Sequence, residues 1–150
     1  MTRAGKRADI VPPEKRSEIM RAVKGTDTGP ERALRKSLFK LGFRYRLNAK
    51  GLPGKPDLVF PKYRAIVFVH GCFWHGHDCP RGRRLPKTNA AYWRRKIARN
   101  IERDRETIAA LRRHGWFVKI SWECDLNNSL KEANKIAGWL LSRRASRRAP

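Results

Sequence analysis

The sequence predicts a mixed α/β domain with a central sheet flanked by helices. Apolar residues switch between helical and strand spacing in the order helix, three strands, helix, strand, helix, which is typical of such a domain. An apolar run at residues 65–69 predicts a buried strand that leads into a segment rich in cysteine and histidine, residues 72–79. A chain of 150 residues is long enough for one domain with its own hydrophobic core.

The N-terminal part of the chain contains a basic arm and two predicted helices. Residues 1–16 are rich in Lys and Arg, and we expect them to form a flexible arm. Residues 17–23 predict a short helix. From Pro30 onward, apolar residues recur at helical spacing until Gly42 ends the pattern, so a longer helix is expected there.

Three short strands are predicted next. Residues 43–47 alternate between polar and apolar side chains as a strand does, and residues 57–60 and 65–69 are largely apolar. A turn at residues 61–64 joins the last two strands into a hairpin. Asp57 therefore stands at the root of this hairpin.

The C-terminal half contains two more helices and one strand. Residues 90–113 carry Ile and Trp on one side and Arg over the remainder, which predicts a long amphipathic helix. A strand is expected at residues 116–122 and a last helix at residues 129–142. The basic residues 143–150 predict a disordered tail. We therefore expect one domain over residues 17–142.

The chain is strongly basic, since 36 Lys and Arg stand against 13 Asp and Glu, a net charge of +23. This excess predicts a polyanionic partner and binding that weakens steeply with salt. A generic nucleic-acid-binding protein would show the same charge, so the chemistry stays open at this point. No run reaches the roughly 18 apolar residues of a membrane span, and no signal peptide is recognisable. The expected location is cytoplasmic, at the nucleoid if DNA is the partner.

The cysteines and histidines predict a structural zinc site. Three cysteines cannot all pair with one another, which favours metal binding over a disulfide framework. Cys72, His77 and Cys79 lie in one loop, and Cys124 follows a predicted strand that would bring it to this loop. Together they would form a tetrahedral Cys3His site. The alternative is that the cysteines are reduced core residues and the histidine lies at the surface.

A second group of residues, built on Asp57, suggests phosphodiester hydrolysis. Pro56 and Asp57 before a strand resemble the start of the PD-(D/E)xK motif of restriction-endonuclease-like proteins, but the next strand ends without the acid and lysine of that motif. His70 lies at this strand end and His75 in the loop beyond it, both near the expected position of the Asp57 carboxylate. A carboxylate and two histidines can hold a cation and transfer protons. Each histidine on its own is more often a packed or solvated residue.

Several blocks of the sequence together resemble the very-short-patch repair (Vsr) mismatch endonucleases, over about residues 17–124. The blocks are Leu52-Pro53-Gly54-Lys55-Pro56-Asp57, Val67-Phe68-Val69-His70-Gly71-Cys72-Phe73-Trp74-His75-Gly76-His77-Asp78-Cys79, Asn100-Ile101-Glu102-Arg103-Asp104, and Gly115-Trp116 with Trp122-Glu123-Cys124. That family has a zinc-containing variant of the restriction-endonuclease fold, a central mixed sheet flanked by helices. It nicks DNA 5′ of the thymine in a T:G mismatch, which starts repair of deaminated 5-methylcytosine. The resemblance implies this fold and this reaction here.

The resemblance also implies roles for the residues of the candidate site. Asp57 would carry the catalytic Mg²⁺, with the backbone carbonyl of Val69 beside it. His75 would be the general acid or base, and His70 would steady the phosphate or its water. Glu31 matches a further active-site acid. The zinc would be structural and held by the four ligands named above.

DNA contacts are implied for aromatic and basic residues. Phe73, Trp74 and Trp93 would wedge into the base stack beside the mismatch, where stacking is worth roughly 1–3 kcal/mol per base. The alternative is that these aromatics pack in the core. For Trp93, its helical spacing with Ile97 supports this alternative. Phosphate contacts, which position DNA without reading its sequence, are expected from arginines of the long helix, Arg94, Arg95 and Arg99.

The expected partner is double-stranded DNA with a T:G mismatch, bound by a monomer. The resemblance implies mismatch-repair proteins such as MutL as further partners. Two other functions stay open. One is a restriction or defence nuclease of the same fold with another target, and the other is a non-catalytic, zinc-dependent DNA-binding module.

Overall fold

The structure is a computed structural model that describes residues 29–47 and 49–148, with side chains as far as Arg144. The predicted arm at residues 1–16 and the predicted short helix at residues 17–23 lie outside the described residues. The division of the chain into arm, domain and tail stays a prediction.

Three helices and four strands make up the described chain. The helices are α1 (Gly29–Lys40), α2 (Ala90–Arg113) and α3 (Ser129–Arg148), and the strands are β1 (Arg46–Leu47), β2 (Leu58–Phe60), β3 (Ala65–His70) and β4 (Phe117–Trp122). Two 3₁₀ turns follow strands, at Pro61–Tyr63 and at Glu123–Asn128. Each predicted helix or strand from residue 29 onward is therefore present.

The strands form one mixed sheet in the order β1-β2-β3-β4. β2 pairs antiparallel with β1 on one side and with β3 on the other, which confirms the predicted hairpin of β2 and β3. β4 lies parallel to β3, and His70 at the end of β3 pairs with Trp122 at the end of β4. Because parallel strands end at the same edge of the sheet, the segments that follow β3 and β4 meet there.

Helices cover both faces of the sheet. On one face, Leu34 of α1 and Ile136 of α3 pack against sheet residues such as Val67 in the larger hydrophobic core. On the other face, Leu111 of α2 packs on alternate sheet residues such as Ile66. This alternation follows from the pleat, which points successive side chains to opposite faces. The result is the mixed α/β domain that the sequence predicts.

Two predicted boundaries are wrong. The strand predicted at residues 43–47 is reduced to Arg46–Leu47, because the Phe43 amide donates to the Leu38 carbonyl at the end of α1 and its side chain is buried in the larger core. The last helix, predicted to end at residue 142, continues to Arg148. The residues after Ser142 include no Gly and no Pro before Pro150, and Arg143 packs over the Phe117 ring, with its guanidinium carbon 5.3 Å from the ring centre.

Among the described helices, none combines the length and the apolar character needed to cross a membrane.

Candidate active site and metal cluster

Four side chains at the ends of β3 and β4 form a compact cluster of metal-binding atoms. The ligand atoms of Cys72, His77, Cys79 and Cys124 all lie within 4.8 Å of one another. The Cys124 Sγ is 3.5 Å from the His77 Nδ1. The structure thus brings together the four residues predicted as zinc ligands. Three thiols and one imidazole around a common point are the donor set that binds zinc in closed, tetrahedral sites.

The loop backbone explains how these ligands converge. The His77 amide donates to the Cys72 carbonyl and the Cys79 amide to the His77 carbonyl, both at 2.9 Å, so the loop winds around the cluster. The Gly82 amide then donates to the Cys79 Sγ at 3.3 Å. A Cβ atom at Gly82 would lie 1.8 Å from the His77 carbonyl oxygen, so only glycine permits this approach.

The thiols lie in unlike surroundings. Burial raises the pKa of the Cys72 thiol to about 12, whereas the Gly82 amide lowers the pKa of the Cys79 thiol to about 7. Burial also raises the pKa of the Cys124 thiol. Buried thiolates need a compensating positive charge, and a bound metal cation supplies one directly. The cluster is therefore suited to a metal.

A separate cleft of about 310 Å³ opens beside this cluster, against the C-terminal half of α2. It contains three of the predicted catalytic residues, Asp57, His70 and His75, together with Val69. The remaining polar residues that line it were not predicted as site residues: Lys55, Arg103, Asp104 and Thr107.

Asp57 is a carboxylate that is costly to ionise without a cation. The Val69 amide donates to its Oδ2 at 2.7 Å, which aligns the carboxylate with the end of β3. Burial, opposed by this hydrogen bond and reinforced by the charge of Glu31, raises the Asp57 pKa to about 6. Glu31 is buried on α1 and lines a small cavity of about 10 Å³ together with Asp57 and Val69. Two neighbouring carboxylates in a partly buried site are a setting that a divalent cation stabilises.

The two histidines stack on each other. The ring centres of His70 and His75 are 3.8 Å apart and the rings are nearly parallel, at 7°. His70 is buried, and its Nδ1 makes no hydrogen bond to any atom of the described residues. Burial, together with the charge of His75, lowers the His70 pKa to about 4, so His70 is neutral at neutral pH. A buried ring nitrogen of this kind is suited to contact a ligand or water in the cleft.

Asp104, on α2, holds His75 in place. Its Oδ2 lies 2.6 Å from the His75 Nδ1. Because a carboxylate only accepts hydrogen bonds, the Nδ1 donates, and the Nε2 is left to exchange a proton with another group. Asp104 was not among the predicted site residues. It belongs to one of the blocks behind the family resemblance, but a single acid on a charged helix gives no other signal.

Trp122 is a second residue that was not predicted as a site residue, although it too belongs to a block of the family resemblance, and it contacts both sites. Its ring stacks on His77 of the metal cluster, with centres 4.1 Å apart at 13°. Its edge-on contact with His70 of the cleft has a distance of 5.5 Å between the centres. The last residue of β4 is therefore a direct link between the cluster and the cleft.

The three aromatic residues predicted to enter DNA form their own cluster. The ring centres of Phe73, Trp74 and Trp93 are 5.1–5.8 Å apart, and all three contacts are edge-on. All three are half-buried, and none belongs to either hydrophobic core. The Asn100 side-chain amide donates to the Trp74 carbonyl at 2.9 Å, which ties the loop to α2. The predicted phosphate-contacting residues lie exposed on α2: Arg94, Arg95 and Arg99.

The cleft can carry out acid–base hydrolysis. A carboxylate with a raised pKa, an imidazole oriented by a second carboxylate and a buried neutral imidazole lie around one solvent-open volume. Such a set can bind a cation, activate water and protonate a leaving oxygen.

Comparison with known proteins places the chain among DNA-cutting enzymes. The family profile "DNA mismatch endonuclease Vsr" matches residues 8–81. The type II nicking enzyme V.XorIIP of Xanthomonas oryzae is 48% identical over 120 residues, which are 80% of this chain and 88% of that protein. V.NmeAIP, a type II nicking enzyme of Neisseria meningitidis, is 47% identical over 80% of this chain and 85% of its own. The DNA mismatch endonuclease Vsr of Escherichia coli K12 is 42% identical over 83% of this chain and 79% of its own.

Proposed function

Because the chain belongs to the Vsr family of DNA mismatch endonucleases, we propose that it nicks one DNA strand 5′ of the thymine in a T:G mismatch. The nick would start very-short-patch repair of deaminated 5-methylcytosine. Relatives named as nicking enzymes and as a mismatch endonuclease support an enzyme that cuts a single strand of DNA. The observation that carries the proposal is the placement of His75, oriented by Asp104, in the same cleft as Asp57.

The proposed reaction uses His75 for proton transfer. The Asp104 carboxylate accepts the hydrogen bond of the His75 Nδ1 and stabilises the ring when it carries a second proton. The Nε2 then takes a proton from the attacking water or gives one to the leaving oxygen. His70 stays neutral, because burial lowers its pKa to about 4, and steadies the phosphate or its water. Acid–base catalysis of this kind contributes roughly 10²–10⁴-fold to a rate.

Magnesium is the cation that we propose at Asp57. Its ligands would be the Asp57 carboxylate and the backbone carbonyl of Val69, with Glu31 as a further acid beside them. Hard oxygen ligands, and a carboxylate whose pKa is raised to about 6 by burial and by Glu31, fit this ion. When bound, Mg²⁺ would neutralise charge on the phosphate and on the attacking oxygen.

Zinc is the metal that we propose at the Cys/His cluster, with Cys72, His77, Cys79 and Cys124 as its ligands. The four donors would leave no open position, so this ion would order the loop and take no part in the reaction. Such a site contributes on the order of 10 kcal/mol at neutral pH. A zinc-containing variant of the PD-(D/E)xK fold follows as the proposed fold family.

Double-stranded DNA is the proposed partner. The net charge of +23 and the exposed arginines of α2 would bind the phosphates. Phe73, Trp74 and Trp93 would stack on bases beside the mismatch, since their cluster lies outside both cores. The enzyme would act as a monomer, and mismatch-repair proteins such as MutL remain proposed partners.

The test is a nicking assay on labelled duplexes that differ only in one base pair, with every mismatch and the matched T:A and C:G pairs. We expect a nick 5′ of the thymine in the T:G duplex, in Mg²⁺ and not in its absence. The base pairs that flank the mismatch are varied in parallel, because contacts to them can decide which mismatched sites are nicked. Equal cutting of matched and mismatched duplexes would instead indicate a nuclease of the same fold with another target, and binding without any cutting would indicate a non-catalytic module.

A further inference from the structure

We propose that Lys55 binds the scissile phosphate in the cleft and stabilises the negative charge that develops on its oxygens during cleavage. This inference rests on the proposed function. It assigns a role to a residue that lines the cleft next to Asp57 and that the acid–base pair of His75 and Asp104 leaves unexplained.

The carboxylates that line the cleft make a positive side chain useful for binding a phosphate there. The lining includes the carboxylates of Asp57 and Asp104, which repel a phosphodiester. Among the described residues that line the cleft, only Lys55 and Arg103 carry a lasting positive charge. Together with the Mg²⁺ proposed at Asp57, a positive side chain at this position would offset the repulsion and hold the phosphate in the cleft.

The reaction itself places charge where a cation is most effective. The water oxygen forms a bond to phosphorus while the bond from phosphorus to one sugar oxygen breaks. The electron pair of the broken bond stays on that sugar oxygen, which takes up a proton. In the transition state between these two bond changes, charge on the phosphoryl oxygens is redistributed. A fixed positive group beside those oxygens stabilises the transition state and so lowers the barrier.

The backbone of Lys55 is held in an unfavourable conformation. Its φ angle is +48°, in the left-handed region that residues with a side chain rarely adopt. It also precedes Pro56, and a residue before proline favours an extended backbone. Non-glycine residues in such conformations concentrate at functional sites, where the surrounding structure imposes them.

Contacts on both sides of Lys55 impose this conformation. At Gly54, whose φ angle is +75°, an added Cβ atom would lie 2.2 Å from the Thr107 Cγ2, so the loop backbone lies directly against α2. On the other side, Pro56 is fully buried. The Lys55 backbone is therefore fixed between α2 and the sheet, two residues before Asp57. The Lys55 side chain therefore starts from a fixed point at the lining of the cleft.

Arg103 differs in its backbone. Both side chains are exposed, but the backbone of Arg103 is helical, in the middle of α2, whereas that of Lys55 is held at a positive φ angle. We therefore assign Arg103 to DNA binding in general and Lys55 to the phosphate that reacts.

The experiment measures single-turnover nicking of the T:G duplex at saturating enzyme, where differences in affinity no longer affect the rate. Lys55→Asn removes the charge but keeps a residue that tolerates the left-handed conformation. We expect its rate to fall about 10²-fold or more, as for loss of one charge-stabilising group, with an unchanged melting temperature. Lys55→Arg keeps the charge and should retain a rate within about 10-fold of wild type. The matched control is Lys50→Asn in the same exposed loop, outside the cleft, which should nick at the wild-type rate.

Backbone conformation supplies a second readout. Lys55→Gly should melt at or above the wild-type temperature, because glycine adopts positive φ without cost, and yet should nick as slowly as Lys55→Asn. Wild-type rates in Lys55→Asn, or a rate loss that only accompanies a lower melting temperature, would overturn the role of Lys55 while leaving the proposed function intact. Absence of nicking by the wild-type protein on every duplex would overturn both proposals.

Discussion

The metal cluster and the cleft each contain residues of one short segment, residues 70–79, and yet the two sites differ in almost every property. Cys72, His77 and Cys79 turn toward Cys124 and form a closed group of soft ligands. His70 and His75, from the same segment, face the cleft with Asp57 and Asp104. The first group suits an ion that holds structure, and the second suits an exchangeable hard cation and moving protons. A single loop can thus be ordered by one set of side chains while the others remain available for chemistry.

The two sites are not independent of each other. Trp122 stacks on His77 and contacts His70 edge-on, and the loop between His70 and Cys72 is a single glycine. We therefore expect loss of the cluster to disturb the cleft, and changes within the cleft to leave the cluster intact. This one-way dependence is what the following predictions test.

The largest effect is expected from Cys124→Ser, which removes a ligand of the cluster without changing the side-chain size. The variant should lose the zinc proposed at the cluster, measured by elemental analysis, and several kcal/mol of unfolding free energy, measured by urea denaturation, since structural zinc contributes directly to folding. Nicking should be lost with it. The control is Asp125→Asn, an exposed neighbour on the same 3₁₀ turn. A Cys124→Ser protein with full zinc content and wild-type stability would contradict a four-ligand site.

Asp57→Asn should abolish nicking and spare the cluster. We expect a rate at least about 10³-fold lower, because the amide neither binds Mg²⁺ as a carboxylate does nor holds its charge. The zinc content should equal that of wild type. Glu106→Gln on the exposed surface of α2 removes the same charge and should leave the rate unchanged. Substantial nicking by Asp57→Asn would place the catalytic cation elsewhere.

Asp104→Asn should lower the single-turnover rate about 10²-fold with little change in DNA affinity. The asparagine can no longer accept the His75 Nδ1 hydrogen bond of 2.6 Å as a charged group, so the ring loses its orientation and the support for its protonated form. The pH–rate profile should shift along with the rate, which a purely structural role would not produce. A lower affinity at an unchanged rate and pH profile would instead make Asp104 a binding residue.

The smallest effect concerns pH and stability in the absence of added magnesium. Since the folded-state pKa of Asp57 is raised from 3.8 to about 6, the folded protein holds this proton more tightly than the unfolded chain. The contribution of Asp57 to stability therefore falls as pH rises from about 4 to about 6. The unfolding free energy of wild type should therefore fall relative to that of Asp57→Asn, which does not titrate. Between pH values of about 4 and about 6, this relative loss should amount to at most about 3 kcal/mol. A constant difference would show that the carboxyl titrates normally.

Much of the fold could be predicted because its signals are local. The hairpin of β2 and β3 follows from two apolar runs joined by a tight turn, and α2 follows from the helical spacing of its apolar residues. Boundaries were less predictable where tertiary contacts decide them. Phe43 fits a strand pattern in the sequence, but its amide donates to the Leu38 carbonyl at the end of α1 and its side chain packs in the larger core.

The sequence by itself determined the metal cluster, because cysteine and histidine have few other reasons to be so dense in one loop, and a parallel strand pair suffices to bring Cys124 to it. It also marked Asp57, His70 and His75, first as a candidate hydrolytic group at the end of a hairpin and then through the family resemblance. Only the tertiary structure decided that Asp104 orients His75, which lies 29 positions earlier in the chain. It also decided that Trp122 contacts both sites and that Lys55 lines the same cleft as Asp57. The physical reason is that ligand chemistry is a property of residue types, whereas these contacts depend on how α2 and β4 pack around the end of β3.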